Sequence, residues 1–234
     1  MKSLKPLFKT YGLILTLAVA IFAPATAQNS PIVDISSYNH IIKVSCVGNS
    51  ITYGYGIEHR DSLSYPAQLG RLLGDKWEVR NFGVSARTLL SKGDHPYIKE
   101  QAYIDAKDFQ PDVVLIKLGT NDTKPRNWIY KDEFKDNYKA LIKSFQNLES
   151  NPIVVLLKAV PAFPDRWGIT DSTIRLGVNP MVEELANALE LPLIDLYTPM
   201  LNHGDLFPDN IHPNAEGAGI MAEIIYKRLT GEAQ

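Results

Sequence analysis

Four short stretches of this chain carry side chains suited to proton and acyl transfer. Gly48-Asn49-Ser50 supplies a hydroxyl. Asn81-Phe82-Gly83 and Gly119-Thr120-Asn121-Asp122 supply side-chain amides and glycines at which backbone N–H groups can approach a ligand. Phe207-Pro208-Asp209-Asn210-Ile211-His212-Pro213-Asn214 supplies a carboxylate and an imidazole. Acyl transfer requires such a set: a nucleophile, a base to take its proton, a group to orient the base, and donors for an oxyanion. Taken singly, each residue has a plainer use. Ser50 can cap a helix, Asn121-Asp122 can close a turn, Gly119 can permit a tight strand exit, and His212 can sit on the surface as His40, His59, His95 and His203 are expected to. Only their combination points to chemistry.

The combination matters if the chain brings the four stretches together, and the apolar pattern says that it does. Residues 41–47, 113–118, 153–157 and 191–194 are short β-branched or aliphatic runs, and 77–82 is a weaker fifth. The first three are nearly continuous in apolar character, as strands covered on both faces tend to be. Between them, 65–73, 134–148, 181–189 and 215–229 repeat apolar residues at helical intervals. Segment 84–111 reads as a loop that becomes a helix near Pro96 and ends before Pro111. The alternation predicts a mostly parallel five-stranded sheet with helices on both faces. Such sheets place ligands at the carboxyl ends of their strands, where the four stretches fall. Nothing indicates a repeat or a second domain.

Other chemistries fit the pattern less well. A phosphate-cradling loop needs Gly-Lys-Ser/Thr or a GxGxxG run with an acidic residue about 20 positions on, and 48–56 offers neither. The GxSxG nucleophile elbow fails because Thr52 occupies the place of its second glycine. His203, Asp205, Asp209 and His212 are suitable metal ligands by type, but their spacing matches no HExxH-type pattern. No cofactor and no metal is expected.

Gly48-Asn49-Ser50, Gly83, Gly119-Thr120-Asn121-Asp122 and Asp209-Asn210-Ile211-His212-Pro213 resemble, in order, the four blocks of the SGNH (GDSL-like) hydrolases, over residues 46–217. The resemblance implies a flavodoxin-like three-layer α/β/α sandwich and hydrolysis of esters. It also implies roles: Ser50 as nucleophile, His212 as base, Asp209 as its orienting carboxylate, and Ser50 N–H, Gly83 and Asn121 as the oxyanion hole. The commonest form of the first block has Asp where this chain has Asn49, which keeps an acceptor and loses a charge. These roles are chemically coherent. An imidazole of ordinary pKa ~6.5 suits the activation of a serine, and a carboxylate three residues away can hold its tautomer.

Lys2, Lys5 and Lys9, an apolar run over 13–22 and Ala25-Thr26-Ala27 fit a secretory signal, so 1–27 is expected to be removed and 28–234 to form the hydrolase domain. The apolar run is short for a membrane span, which takes about 20 residues, so no stable anchor is expected after cleavage. The chain has 24 basic and 26 acidic residues, and loss of the leader's lysines makes the remainder more acidic. That balance argues against nucleic acid as a partner. Cys46, the only cysteine, lies in an apolar run and is expected to be inert. Tyr53, Tyr55, Arg87, Trp128, Tyr130, Arg166 and Trp167 fall in loops on the site's side and could bind a sugar or merely anchor their loops. The expected function is a secreted or periplasmic esterase acting on short-chain esters, above all O-acetyl groups of carbohydrates. Lysophospholipid, thioester and aryl ester substrates are the alternatives, as is a non-catalytic sugar-binding protein of the same fold.

Overall fold

The computed structural model describes residues 30–232, so the leader expected over 1–27 lies outside the described residues. Five strands form the sheet: β1 (Ile42–Gly48), β2 (Trp77–Gly83), β3 (Val113–Lys117), β4 (Ile153–Leu157) and β5 (Leu193–Ile194). All pairings are parallel, in the order β2-β1-β3-β4-β5. This is the flavodoxin-like order, in which the chain reverses its direction of travel between β1 and β3.

Strand residues alternate between two cores, as the two-residue period of a strand demands. Val44, Cys46, Val113, Leu115, Val155 and Leu157 face one core. It is covered by the helices Tyr65–Leu73 and Ala215–Thr230, which contribute Leu69, Met221, Ile225 and Leu229. Val47, Val114, Ile116, Val154 and Leu156 face the other. That side is covered by Phe134–Gln146 and Asn179–Ala188, through Phe134, Tyr138, Leu141, Val182 and Leu185. Burial on both faces explains why β1, β3 and β4 read as continuous apolar runs.

The two weaker strand signals belong to the edges. β2 has one strand neighbour and is mostly half-buried, so polar Glu78, Arg80 and Asn81 are tolerated. β5 is reduced to Leu193–Ile194, because Pro192 can accept a hydrogen bond, here from Leu156 N, but cannot donate one. Within 84–111, a short bridge between Thr88 and Pro96 precedes the helix Gln101–Asp108.

Candidate active site

β1 ends at Gly48, and Asn49 turns the chain into a single helical turn, Ser50–Tyr53. Asn49 caps that turn by accepting Ile51 N at 3.1 Å, the usual work of a short polar residue at a helix start. Ser50 therefore stands on the first residue of the turn, at the carboxyl end of a central strand. Its Oγ lies 2.8 Å from Nε2 of His212, and Nδ1 of His212 lies 2.7 Å from Oδ2 of Asp209. With Nδ1–H donating to the carboxylate, Nε2 is left free to accept the Ser50 hydroxyl.

The turn that presents His212 is built by the same aspartate. Oδ1 of Asp209 accepts the backbone N–H of Ile211 at 3.0 Å and of His212 at 2.8 Å. Asn214 then caps the helix Ala215–Thr230 by accepting Gly217 N. Burial alone would raise the Asp209 pKa, but the donors from His212 and Ile211 outweigh it and hold the carboxyl below its ordinary value. Burial also pulls the His212 pKa down. Asp209 opposes this, the charges of Lys117 and Lys124 reinforce it, and the imidazole ends below its ordinary value. The imidazole thus stays neutral to lower pH than a free one and is able to accept a proton.

Ser50 and His212 line a cavity of about 210 Å³ together with Tyr55, Ser85, Ala86, Asn121, Lys124, Trp167 and Ile169. Asn121 uses one amide hydrogen on Arg87 O at 3.1 Å, which leaves the other for a ligand. Asp122, completely buried, accepts Leu89 N at 3.0 Å and Leu90 N at 2.7 Å. Burial raises its pKa to about 6 against those two bonds. Consecutive residues after β3 thereby grip the loop that follows β2. A larger cavity of about 420 Å³, between Leu89, Tyr103 and Leu141, contains no serine–histidine pair.

Ser50, His212, Asp209 and Asn121 are brought together. Gly83 is not in the cavity, and its N–H donates to Asn81 Oδ1 at 2.9 Å. A Cβ at Gly83 would sit 2.3 Å from Tyr53 N, so its glycine serves the close approach of β2 to the Ser50 turn. The cavity wall there comes instead from Ser85 and Ala86. Ala86 holds a left-handed φ of 67°, and no acceptor for its N–H occurs among the described residues. Such backbone strain in a non-glycine residue gathers at functional sites, but an alanine gives no sign of it in the sequence.

The loop residues expected at the substrate divide similarly. Trp167 lines the cavity, half-exposed, with its ring centroid 5.8 Å from that of His212. Tyr55 also lies against the imidazole, with ring centroids 4.6 Å apart. Arg166 stacks on Trp167 at 4.6 Å and donates to Asp209 O at 3.2 Å. Trp167 and Gly168 both have positive φ, and Arg166 and Ile169 exchange backbone hydrogen bonds across them, the signature of a type I′ turn. Three others are occupied away from the cavity. Tyr53 is covered by the Arg60 guanidinium at 3.9 Å. Arg87 pairs with Glu100 at 2.8 Å. Trp128 packs edge-on to Phe134 and fills the space beside Gly177. Lys124, half-buried in the cavity wall, was not singled out by the sequence pattern. Among the described residues no three His, Cys, Asp or Glu side chains converge as a metal site.

Fold and site define a class: a flavodoxin-like α/β/α protein with an Asp–His–Ser relay at the carboxyl edge of its sheet. Residues 46–220 match the GDSL-like lipase/acylhydrolase family, and the chain belongs to that family. An acetylxylan esterase from Xylanibacter ruminicola is 46% identical over 202 residues, covering 79% of this chain and 42% of that protein. This chain thus spans less than half the length of that relative. Among solved structures, a carbohydrate acetylesterase from Sinorhizobium meliloti has a TM-score of 0.64 at 20% identity, covering 80% of this chain and 98% of the other. A two-domain esterase active on acetylated mannans scores 0.61 at 21% identity, over 80% of this chain and 48% of that one. The inhibitor-bound aryl esterase of M. smegmatis scores 0.60 at 20% identity, covering 80% and 100%. At such identities the structural likenesses speak for the fold.

Proposed function

We propose that this chain is an exported serine esterase that removes acetyl and other short acyl groups from carbohydrate hydroxyls. The observation that carries the reading is the relay from Asp209 to His212 to Ser50, at 2.7 and 2.8 Å, opening into a small cavity. Ser50 Oγ attacks the ester carbonyl as its proton passes to His212 Nε2. The resulting oxyanion is held by Ser50 N–H, Ala86 N–H and the free hydrogen of Asn121 Nδ2. Collapse expels the sugar alkoxide, which leaves as a hydroxyl with the proton from His212. Water, deprotonated by the same imidazole, then cleaves the acyl-enzyme to free acid and serine. Asp209 holds the tautomer and offsets the charge that forms on the ring.

The carbohydrate half of the reading rests on Tyr55 and Trp167, half-exposed rings beside the imidazole, with Arg166 stacked on Trp167. Flat aromatic faces suit the C–H faces of a pyranose. The acetylxylan esterase likeness supports the same substrate class. The limited cavity volume favours short acyl groups. Export rests on Lys2, Lys5, Lys9, the apolar run and Ala25-Thr26-Ala27. Mature protein should begin near Gln28; retention of Met1 in exported material would refute cleavage, and protein that stays in the cytoplasm would refute export.

The deciding experiment uses acetylated xylo-oligosaccharides and aryl esters of increasing chain length. Acetyl esters should be turned over best, with a steep fall beyond about four acyl carbons. An organophosphorus probe should label Ser50, and Ser50→Ala should lower kcat by on the order of 10⁶. Faster hydrolysis of octanoyl than acetyl esters would sink the short-acyl reading, and unlabelled Ser50 in active protein would sink the mechanism.

A further inference from the structure

Lys117, the last residue of β3, is completely buried, and its Nζ has no hydrogen-bond partner among the described residues. Burying an ammonium without a partner is among the most costly arrangements in a protein interior, so its retention calls for a physical role. Its position suggests one. Lys117 is in register with Gly48, the residue that leads through Asn49 into Ser50. Strand alternation puts its side chain on the face of Val113 and Leu115, where Leu206 and Phe207 of the His212-bearing turn also pack. Asn49 Nδ2, also buried and also without a partner, follows directly on that register.

We infer that Lys117 is a positioning residue for the reaction: an amine sealed beneath the Ser50 turn whose charge repels a proton from His212 and keeps the base free in mildly acidic conditions. The inference rests on His212 being the base proposed above.

The other titratable groups around these two side chains leave that role to Lys117. Cys46 and Tyr65 share its face of the sheet, and burial pushes the pKa of both upward, so they stay neutral. No carboxylate offsets the burial of Lys117, which pulls its pKa down to about 7. Its charge therefore appears as pH falls through neutrality, the range in which an ordinary imidazole begins to take up a proton. The largest charge effects on His212 come from Asp209, which favours its protonation, and from Lys117 and Lys124, which oppose it; Arg166, on Asp209 O, is exposed to solvent. Lys124 is half-exposed and its influence is screened by salt, whereas a charge in the interior is screened far less.

The test is the pH dependence of kcat/KM for p-nitrophenyl acetate with wild type and Lys117→Met, in dilute buffer and in 1 M NaCl. The ratio of kcat/KM at pH 5 to that at pH 8 should fall about threefold to tenfold in the variant, a rise of about half to one unit in the midpoint. The difference should persist in 1 M NaCl. An unchanged or lowered midpoint in folded Lys117→Met overturns the inference, as does a difference abolished by salt. NMR titration of the Lys117 side chain in the wild type gives a second measurement independent of the variant. Titration near 7 supports the inference, and titration near 10.5 overturns it. Absence of any acidic limb in the wild type would remove His212 as base, and this inference with it. A normal wild-type limb with an unaltered variant sinks the lysine alone.

Discussion

At the scale of the residue, the candidate site is a few polar atoms whose hydrogen bonds are almost fully assigned before a substrate arrives. Asn121 is one informative exception, with one amide hydrogen on Arg87 O and no acceptor for the other among the described residues. If the free hydrogen meets a developing oxyanion, that bond strengthens in the transition state. Asn121→Ala should then lower kcat by about 10²–10³ with KM little changed. Steady-state kinetics on protein shown to be folded checks this, and near-normal kcat would leave Asn121 a structural part of its loop. His212 yields a second prediction. Its pKa is lowered, so the neutral base persists to lower pH than a free imidazole, and kcat/KM should fall on acidification with a midpoint below ~6.5. A pH–rate profile decides it, with a midpoint at or above ~7 as the contrary result. That Ser50, Asp209, His212 and Asn121 converge was legible in the sequence, because polar side chains at strand ends show in residue types. The place of Ala86 in the cavity wall was not, since what marks it is a φ of 67° that an alanine does not advertise.

The next scale up is the loop and strand end, where the residues following β3 act as a clamp. Asp122 binds Leu89 N and Leu90 N, Asn121 binds Arg87 O, and Asn127 donates to Asn121 O at 2.9 Å. The Ala86 wall of the cavity thus depends on an acid that touches no substrate. Asp122→Asn exchanges one acceptor for a donor facing buried N–H groups, and should cost about 1–3 kcal/mol of stability. It should also lower kcat as Ala86 and Asn121 lose their fixed separation. Urea unfolding beside kinetics measures both, and a variant as stable as wild type would show that the clamp is not needed. Sequence periodicity found these elements but not the clamp, because Asn-Asp after a strand reads equally well as a local turn. The same limit applies to Trp128, Tyr53 and Arg87. Aromatic and cationic residues in loops look alike in sequence whether they face solvent, a sugar or Phe134, Arg60 and Glu100.

For the whole molecule, the two-faced sheet was readable from the near-continuous apolar runs, while the edge strands were blurred by Arg80, Asn81 and Pro192. Lys117 interrupts that pattern, and the fold should show its effect in global stability. Its pKa is about 7 folded and ~10.5 unfolded, so between these values the unfolded chain binds the extra proton. Stability therefore rises with pH across that window on its account, and the penalty is greatest at and below neutral pH. Lys117→Met should be the more stable protein by about 1–4 kcal/mol near pH 7, with the advantage shrinking towards pH 10. Urea titrations at both pH values test this, and an advantage independent of pH would contradict it. The type I′ turn that carries Trp167 has an optical consequence. Of the three tryptophans, Trp77 is buried in an edge strand and Trp128 is packed against Phe134, while Trp167 stands beside the imidazole of His212. Protonated imidazole quenches indole emission. The intrinsic fluorescence of this protein should therefore dim as His212 takes up its proton, and Trp167→Phe should abolish that response, giving a label-free view of this imidazole in the free protein.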